Sequence, residues 1–302
     1  MADPRFVGSG VALVTPFDRN GVNERALRDL VRFHHREHTD ALIVNGSTGE
    51  AATMSVEEQR RAVEIVVDEN KGKLPIIVGC GGSDTAAVCR LATQARAARA
   101  DALLLSAPPY NKPTPRGLIA HFTAVMDAGQ LPAVIYNVPG RTSVNIQPAT
   151  IAELAKDERV IGVKEACGDI AQIAQLAWHL RNHDRVYIWS GNDDQIVPIM
   201  ALGGKGVISV LANVAPGDTS RMARAFLDGD VATARSLQLK YLPLIAALFA
   251  ESNPIPVKTA VAWLGFDVGE LRLPLTPISD SVRQNLIAAL NDVGLAPLTA
   301  TA

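Results

Sequence analysis

Eight short apolar runs, each followed by a longer amphipathic stretch, limit this chain to very few architectures. The runs are GVALVTPF (10–17), ALIVNG (41–46), PIIVG (75–79), ALLLSAPP (102–109), AVIYNVP (133–139), VIGVKEA (160–166), VYIWSG (186–191) and GVISVL (206–211). They are apolar and β-branched throughout, as strands buried on both faces are. Segments 23–37, 55–69 and 84–98 between them read as helices. Ser55-Val56-Glu57-Glu58 has the spacing of a capping box, and Asp84 stands at the mouth of the next helix after Gly81-Gly82-Ser83. Repeated βα units of roughly 25–30 residues without a break in composition predict an α/β fold, a closed (β/α)8 TIM barrel. A doubly wound open sheet would want GxGxxG after its first strand, and GSGVAL lacks it.

Beyond the last run no strand signal recurs, and 214–227, 231–249, 256–264 and 279–293 read as helices. The first of these closes the barrel. The expected division is a catalytic barrel over 1–227 and a C-terminal helical region over 228–302.

Composition removes several classes of function. Lys and Arg number 29 against 31 acidic residues, and aromatics make up 5%, so neither a phosphate-binding surface nor a base-stacking platform is available. Nucleic acid is not expected as a partner. Three cysteines (Cys80, Cys89, Cys167) cannot close a disulfide framework and suit a reducing compartment. The first residues lack a basic segment ahead of an apolar run, and LPLIAALFA is far short of the ~20 residues a membrane helix needs. A cytoplasmic protein without membrane contact is expected.

In a barrel of this kind the chemistry gathers where strands end. Asn45-Gly46-Ser47-Thr48-Gly49-Glu50 closes the second run with two hydroxyls and glycine-held N–H groups, suited to a carboxylate or phosphate, or else forms an ordinary turn. Tyr136 and Arg141 close the fifth, offering a proton shuttle and a bidentate carboxylate clamp; the bland alternative is a surface Pro-Gly turn. Lys164 is the sharpest candidate. Its stem rises from the apolar strand Val160-Ile161-Gly162-Val163 into the barrel mouth. Burial there favours the neutral amine, which can attack a carbonyl and form a Schiff base, although a structural ion pair is the competing role.

His34-His35-Arg36-Glu37-His38 matches an inverted zinc-peptidase pattern. It sits at the end of the first helix, on the opposite face from the strand ends, without a third ligand, so a solvated helix terminus is expected. No P-loop and no CxxC pair occurs, and neither metal nor cofactor is expected.

Taken in order, GSTGE (46–50), APPYNKP (107–113), YNVPGRT (136–142), GVKEA (162–166), SGND (190–193), GGKGVISV (203–210), NPIPVK (253–258) and LRLPL (271–275) resemble the dihydrodipicolinate synthase/N-acetylneuraminate lyase family over nearly the whole chain. The resemblance implies a metal-independent barrel enzyme working through a pyruvate Schiff base. It assigns Lys164 as the Schiff-base lysine and Tyr136 as the proton relay. Thr48 would link Tyr136 to a second tyrosine, Tyr110, lent by a neighbouring subunit. Ser47 and Thr48 would hold the pyruvate carboxylate, with main-chain groups of Gly191 and Ile208 lining the pocket. A homo-oligomer follows, at least a dimer and usually a tetramer built as a dimer of dimers.

Within the family an arginine at the position of Arg141 goes with condensation of pyruvate and aspartate β-semialdehyde, on the route to diaminopimelate and lysine. Sister lyases acting on sialic or sugar acids generally lack it. Such a lyase is the alternative activity, and a non-catalytic barrel is a remote one. Two departures from the family pattern matter. Ser47 stands where threonine is usual, which keeps the hydroxyl. Pro109 stands where many relatives have a tyrosine, and Ala51, Val56, Gln59, Ser83 and Ala87 replace polar groups of the lysine-feedback pocket. Weak or absent inhibition by lysine is therefore expected.

Overall fold

The computed structural model describes residues 3–298. Eight parallel strands close a barrel: β1 (Gly8–Ala12), β2 (Ala41–Val44), β3 (Ile76–Cys80), β4 (Ala102–Ser106), β5 (Ala133–Asn137), β6 (Val160–Glu165), β7 (Tyr187–Ser190) and β8 (Gly206–Ser209). Each pairs with its sequence neighbours, and β1 closes the ring by pairing with both β2 and β8. Helices α1 (Glu24–Arg36), α2 (Val56–Asn70), α3 (Thr85–Ala97), α4 (Pro115–Gly129), α5 (Pro148–Leu154), α6 (Ile170–Leu180), α7 (Ile196–Ala201) and α8 (Pro216–Leu227) connect successive strands and follow the last. Among the described residues no helix is long and apolar enough to cross a membrane.

The helix starts carry the expected caps. Ser55 and Glu58 form the reciprocal capping box of α2, and the Asp84 carboxylate accepts from the N–H groups of Ala86 and Ala87 at the head of α3. Each cap contributes about 1 kcal/mol.

The first strand differs from its expected position, running from Gly8 to Ala12 rather than 10–17. Glycine and serine mark it as a loop in sequence, yet the barrel needs glycine here. A Cβ on Gly10 would stand 2.7 Å from the Phe6 ring and 2.8 Å from Ile43. Phe6 stacks on Trp189 at 4.8 Å between ring centroids, and the Trp189 indole donates to the Phe6 carbonyl, plugging the barrel interior. Gly162 makes room for the same indole, since its Cβ would fall 2.2 Å from Trp189. Residues past Ala12 leave the sheet, and Asn213 ties them to the last strand by accepting from Val14 N–H and donating to the Ala12 carbonyl.

Three further helices, α9 (Val231–Leu248), α10 (Ile255–Trp263) and α11 (Asp280–Asp292), form the C-terminal region. Leu237, Leu244, Val257, Val261, Leu286 and Leu290 are buried in the same apolar cluster as the barrel helices. The helices therefore share the barrel's main core.

The zinc-peptidase pattern does not form a ligand set. His34 is fully buried with Nδ1 2.9 Å from Thr39 Oγ1, and burial pushes its imidazole down to about 3. His38 lies beyond the helix end, exposed, with φ of 57°. The two rings face different environments.

Candidate active site

A cavity of about 730 Å³ opens at the C-terminal ends of the strands. Lys164, Tyr136, Ser47, Thr48, Arg141 and Gly191 all line it, six of the eight residues singled out in the sequence. Ile208 packs in the barrel interior instead, one residue before the end of β8, fully buried with Trp189 and Tyr136. Tyr110 does not reach the cavity of its own chain: its side chain is 90% exposed.

Lys164 and Tyr136 are register partners on adjacent strands, so their side chains rise together. The Lys164 amine sits 4.3 Å from the centroid of the Tyr136 ring. Lys164 is 5% exposed, and burial lowers it to about 7; the negative charge of Asp193 works against the shift, and Arg141 adds slightly to it. A large fraction of the amine is thus neutral at physiological pH. Tyr136 moves the other way, pushed up to about 12 by burial, and stays a phenol able to give a proton. Gly191 is shaped by the lysine, since a Cβ there would come 3.2 Å from Lys164 Cε and 2.8 Å from Ala166 Cβ.

The GSTGE segment leaves β2 through Asn45 and enters a turn through Glu50, both left-handed with φ of 57° and 55°. Gly79 on the neighbouring strand allows this path, because its Cβ would collide with the Asn45 carbonyl at 2.2 Å. Ser47 is exposed to the cavity, and Thr48 is 3% exposed. The family pattern leads one to expect Thr48 hydrogen-bonded to Tyr136. In this structure neither donates to the other; Thr48 Oγ1 accepts from Asn253 Nδ2 at 2.9 Å.

Arg141 lies on a one-turn helix, Pro139–Thr142, at the rim. One Nη2 proton goes to the Asn253 carbonyl at 2.9 Å, and no carboxylate among the described residues holds the guanidinium. Most of its five N–H donors remain available to a ligand. Its loop is pinned from below: Asn137 donates to the buried Glu165 carboxylate and to Asn145, while its Oδ1 accepts from Ile146 N–H. Burial raises Glu165, and these hydrogen bonds act against that rise.

Local pattern missed three groups. Asp193, within the SGND motif, is buried and accepts from Ser209 Oγ (2.6 Å), Val210 N (3.0 Å) and Leu211 N (2.9 Å), fastening the β7 end to the β8 end. Lys258 and Glu50 form a buried ion pair at 2.7 Å, with side-chain exposures of 2% and 1%. Asn253 joins the cavity wall from the C-terminal region. No nearby sequence signal could have paired residues some two hundred positions apart.

The remaining polar groups of the expected feedback pocket are satisfied internally. Gln59 Nε2 donates to the Ala51 carbonyl at 2.9 Å, and Ser83 Oγ donates to the Pro109 carbonyl at 3.0 Å.

The Dihydrodipicolinate synthetase family model matches residues 5–293. The 4-hydroxy-tetrahydrodipicolinate synthase of Thermoanaerobacter pseudethanolicus is 50% identical over 293 residues, covering 97% of this chain and 98% of that one. The dihydrodipicolinate synthase of Aquifex aeolicus superposes with a TM-score of 0.94 at 40% identity, covering 97% of this chain and all of that one. That of Acinetobacter baumannii, solved in complex with pyruvate, gives a TM-score of 0.93 at 38% identity and covers 96% of this chain and all of that one. With its barrel, its lysine-centred cavity and a family match from residue 5 to residue 293, the chain belongs to the dihydrodipicolinate synthetase family.

Proposed function

We propose that this chain is a lyase that condenses pyruvate with aspartate β-semialdehyde to 4-hydroxy-tetrahydrodipicolinate, for lysine and diaminopimelate synthesis. The observation that carries this reading is the buried Lys164, lowered to about 7, in one cavity with Tyr136, Thr48 and the uncommitted guanidinium of Arg141. The neutral amine attacks C2 of pyruvate, water leaves, and an iminium forms. Loss of a C3 proton gives the enamine, with Tyr136 placed to relay protons. The enamine carbon then bonds to the aldehyde carbon, whose oxygen takes a proton. The α-amino group of the semialdehyde displaces Lys164 as the ring closes. Ser47 and Thr48 hold the pyruvate carboxylate, Gly191 lines the pocket beside them, and Arg141 holds the carboxylate of the semialdehyde.

Pyruvate consumption measured with aspartate β-semialdehyde, N-acetylmannosamine and glyceraldehyde tests the assignment. Turnover should be confined to the semialdehyde. Arg141→Ala should raise its KM by about 10–100-fold, the worth of a hydrogen bond to a charged group, and leave pyruvate binding within about 2-fold. Turnover with a sugar aldehyde would retain the Schiff-base chemistry and sink the lysine-pathway assignment.

The working form is a homo-oligomer, a dimer of dimers, in which Tyr110 completes the site of a neighbour. Supporting this, Tyr110 is almost fully exposed on a loop fixed by the Asn111 amide, which donates to the Ser83 carbonyl at 2.7 Å. Its backbone takes φ of 71°, a conformation held by the surrounding turn.

Lysine should not inhibit this enzyme at micromolar concentration. A zwitterion needs partners for both of its charges, and Ala51, Ala87 and Pro109 offer no polar side chain. A rate titration with lysine checks this, and half-inhibition in the micromolar range would refute it.

A further inference from the structure

We infer that Asn253, supplied by the C-terminal region, is a positioning residue for pyruvate: its amide fixes the Thr48 hydroxyl as a proton donor toward the substrate carboxylate. The inference rests on the reading of Thr48 as a carboxylate-binding residue. Asn253 Nδ2 donates to Thr48 Oγ1 at 2.9 Å, both residues line the cavity, and their exposures are 7% and 3%. A hydroxyl carries one proton and two lone pairs. Accepting the amide proton occupies a lone pair and leaves the hydroxyl's own proton to give away. A carboxylate takes only donors, so this polarity is the useful one. The opposite amide orientation would draw the Thr48 proton to itself and turn lone pairs toward the substrate.

A second observation separates this role from packing. Asn253 Oδ1 is buried with no hydrogen-bond partner among the described residues. An unpartnered buried acceptor is unfavourable, and a leucine of similar volume would avoid it while filling the same space. The bond to Thr48 is the one hydrogen bond the Asn253 side chain makes among the described residues.

Asn253 is itself firmly held. Its carbonyl accepts from Arg141 Nη2 at 2.9 Å, and the Ile255 N–H donates to the Ser252 carbonyl at 2.8 Å. Five residues on, Lys258 grips Glu50, two residues beyond Thr48. A single residue thus touches the pyruvate-binding hydroxyl through its side chain and the aldehyde-binding guanidinium through its main chain.

The test is borohydride trapping of the pyruvate imine over a range of pyruvate concentrations, which reads pyruvate binding without the aldehyde. Asn253→Leu should raise the half-saturating pyruvate concentration about tenfold, as loss of one oriented hydrogen bond does, with the trapped fraction at saturation unchanged. In steady state the pyruvate KM should rise by a similar factor while kcat stays within about 3-fold. Thr48→Val should weaken pyruvate at least as much, and the double variant should be no worse than Thr48→Val alone, because Asn253 acts through that hydroxyl. If the leucine variant does not fold, Asn253→Ala carries the same comparison.

Wild-type half-saturation in the Asn253 variant, beside a clear loss in Thr48→Val, would overturn the inference and leave the Thr48 reading intact. Fully additive effects would overturn it too, since Asn253 would then act independently of Thr48. No effect of Thr48→Val would bring down both.

Discussion

Lys164→Ala should abolish borohydride-dependent attachment of pyruvate and lower kcat/KM on the order of 10³-fold, because among the described residues no other lysine lines the cavity to form the imine. Lys258, the other buried lysine, is committed to Glu50 and to the Glu270 carbonyl. Lys164→Arg should be equally inactive, as a guanidinium does not lose its proton in this range. The pH dependence has a definite sign. Burial lowers Lys164 to about 7 by penalising its cationic form, so the neutral nucleophile is the minor form below that pH and the major form above it. The trapping rate at low pyruvate should climb about tenfold per unit below pH 7 and level off above it. A profile still climbing toward the pH of a free lysine would show that burial does not lower this amine.

The same variant addresses the role of Tyr110. Inactive Lys164→Ala subunits, mixed with Tyr110→Phe subunits and reassembled, should regain part of the wild-type rate if the tyrosine serves its neighbour's site. No recovery after confirmed mixing would assign Tyr110 a different role.

How much of this was legible in the chain depended on the range of the forces involved. The strands were readable because burial on both faces demands continuous β-branched runs, and the helix starts because caps are local. The first strand was misplaced because its governing constraint is a contact between Gly10 and the Phe6 ring, made for room in the barrel. Lys164 stood out because a long cationic side chain at the end of an apolar strand has few other reasons to be there. Asn253 was visible only as the first residue of NPIPVK; by itself it precedes a proline, the ordinary place for a turn residue. Its partners, Thr48 and Arg141, are 205 and 112 residues away. Asp193 was visible as part of a motif, but its work of joining the β7 and β8 ends required the closed barrel.

Lys258→Met should destabilise the protein by about 3–5 kcal/mol, the usual consequence of leaving a buried charge without its partner. Glu50 is 1% exposed, so its carboxylate cannot turn to water when the ammonium is removed. Its second oxygen would keep the Arg272 N–H at 3.0 Å, which does not replace a full positive charge. Adding Glu50→Gln should recover much of the loss, because an amide needs no counter-charge. Urea unfolding at fixed protein concentration measures both variants. The shape of the transition carries as much information as its midpoint. The C-terminal helices share one core with the barrel helices, and Lys258, Arg272 and Asn253 reach from that region to Glu50, Glu58 and Thr48. Unfolding should therefore be a single transition that Lys258→Met shifts as a whole, with pyruvate binding weakened in the same variant because Glu50 anchors the loop that carries Thr48. Two transitions, with only the less stable one moved, would instead mean that residues 228–302 fold as a separate domain beside a self-sufficient barrel.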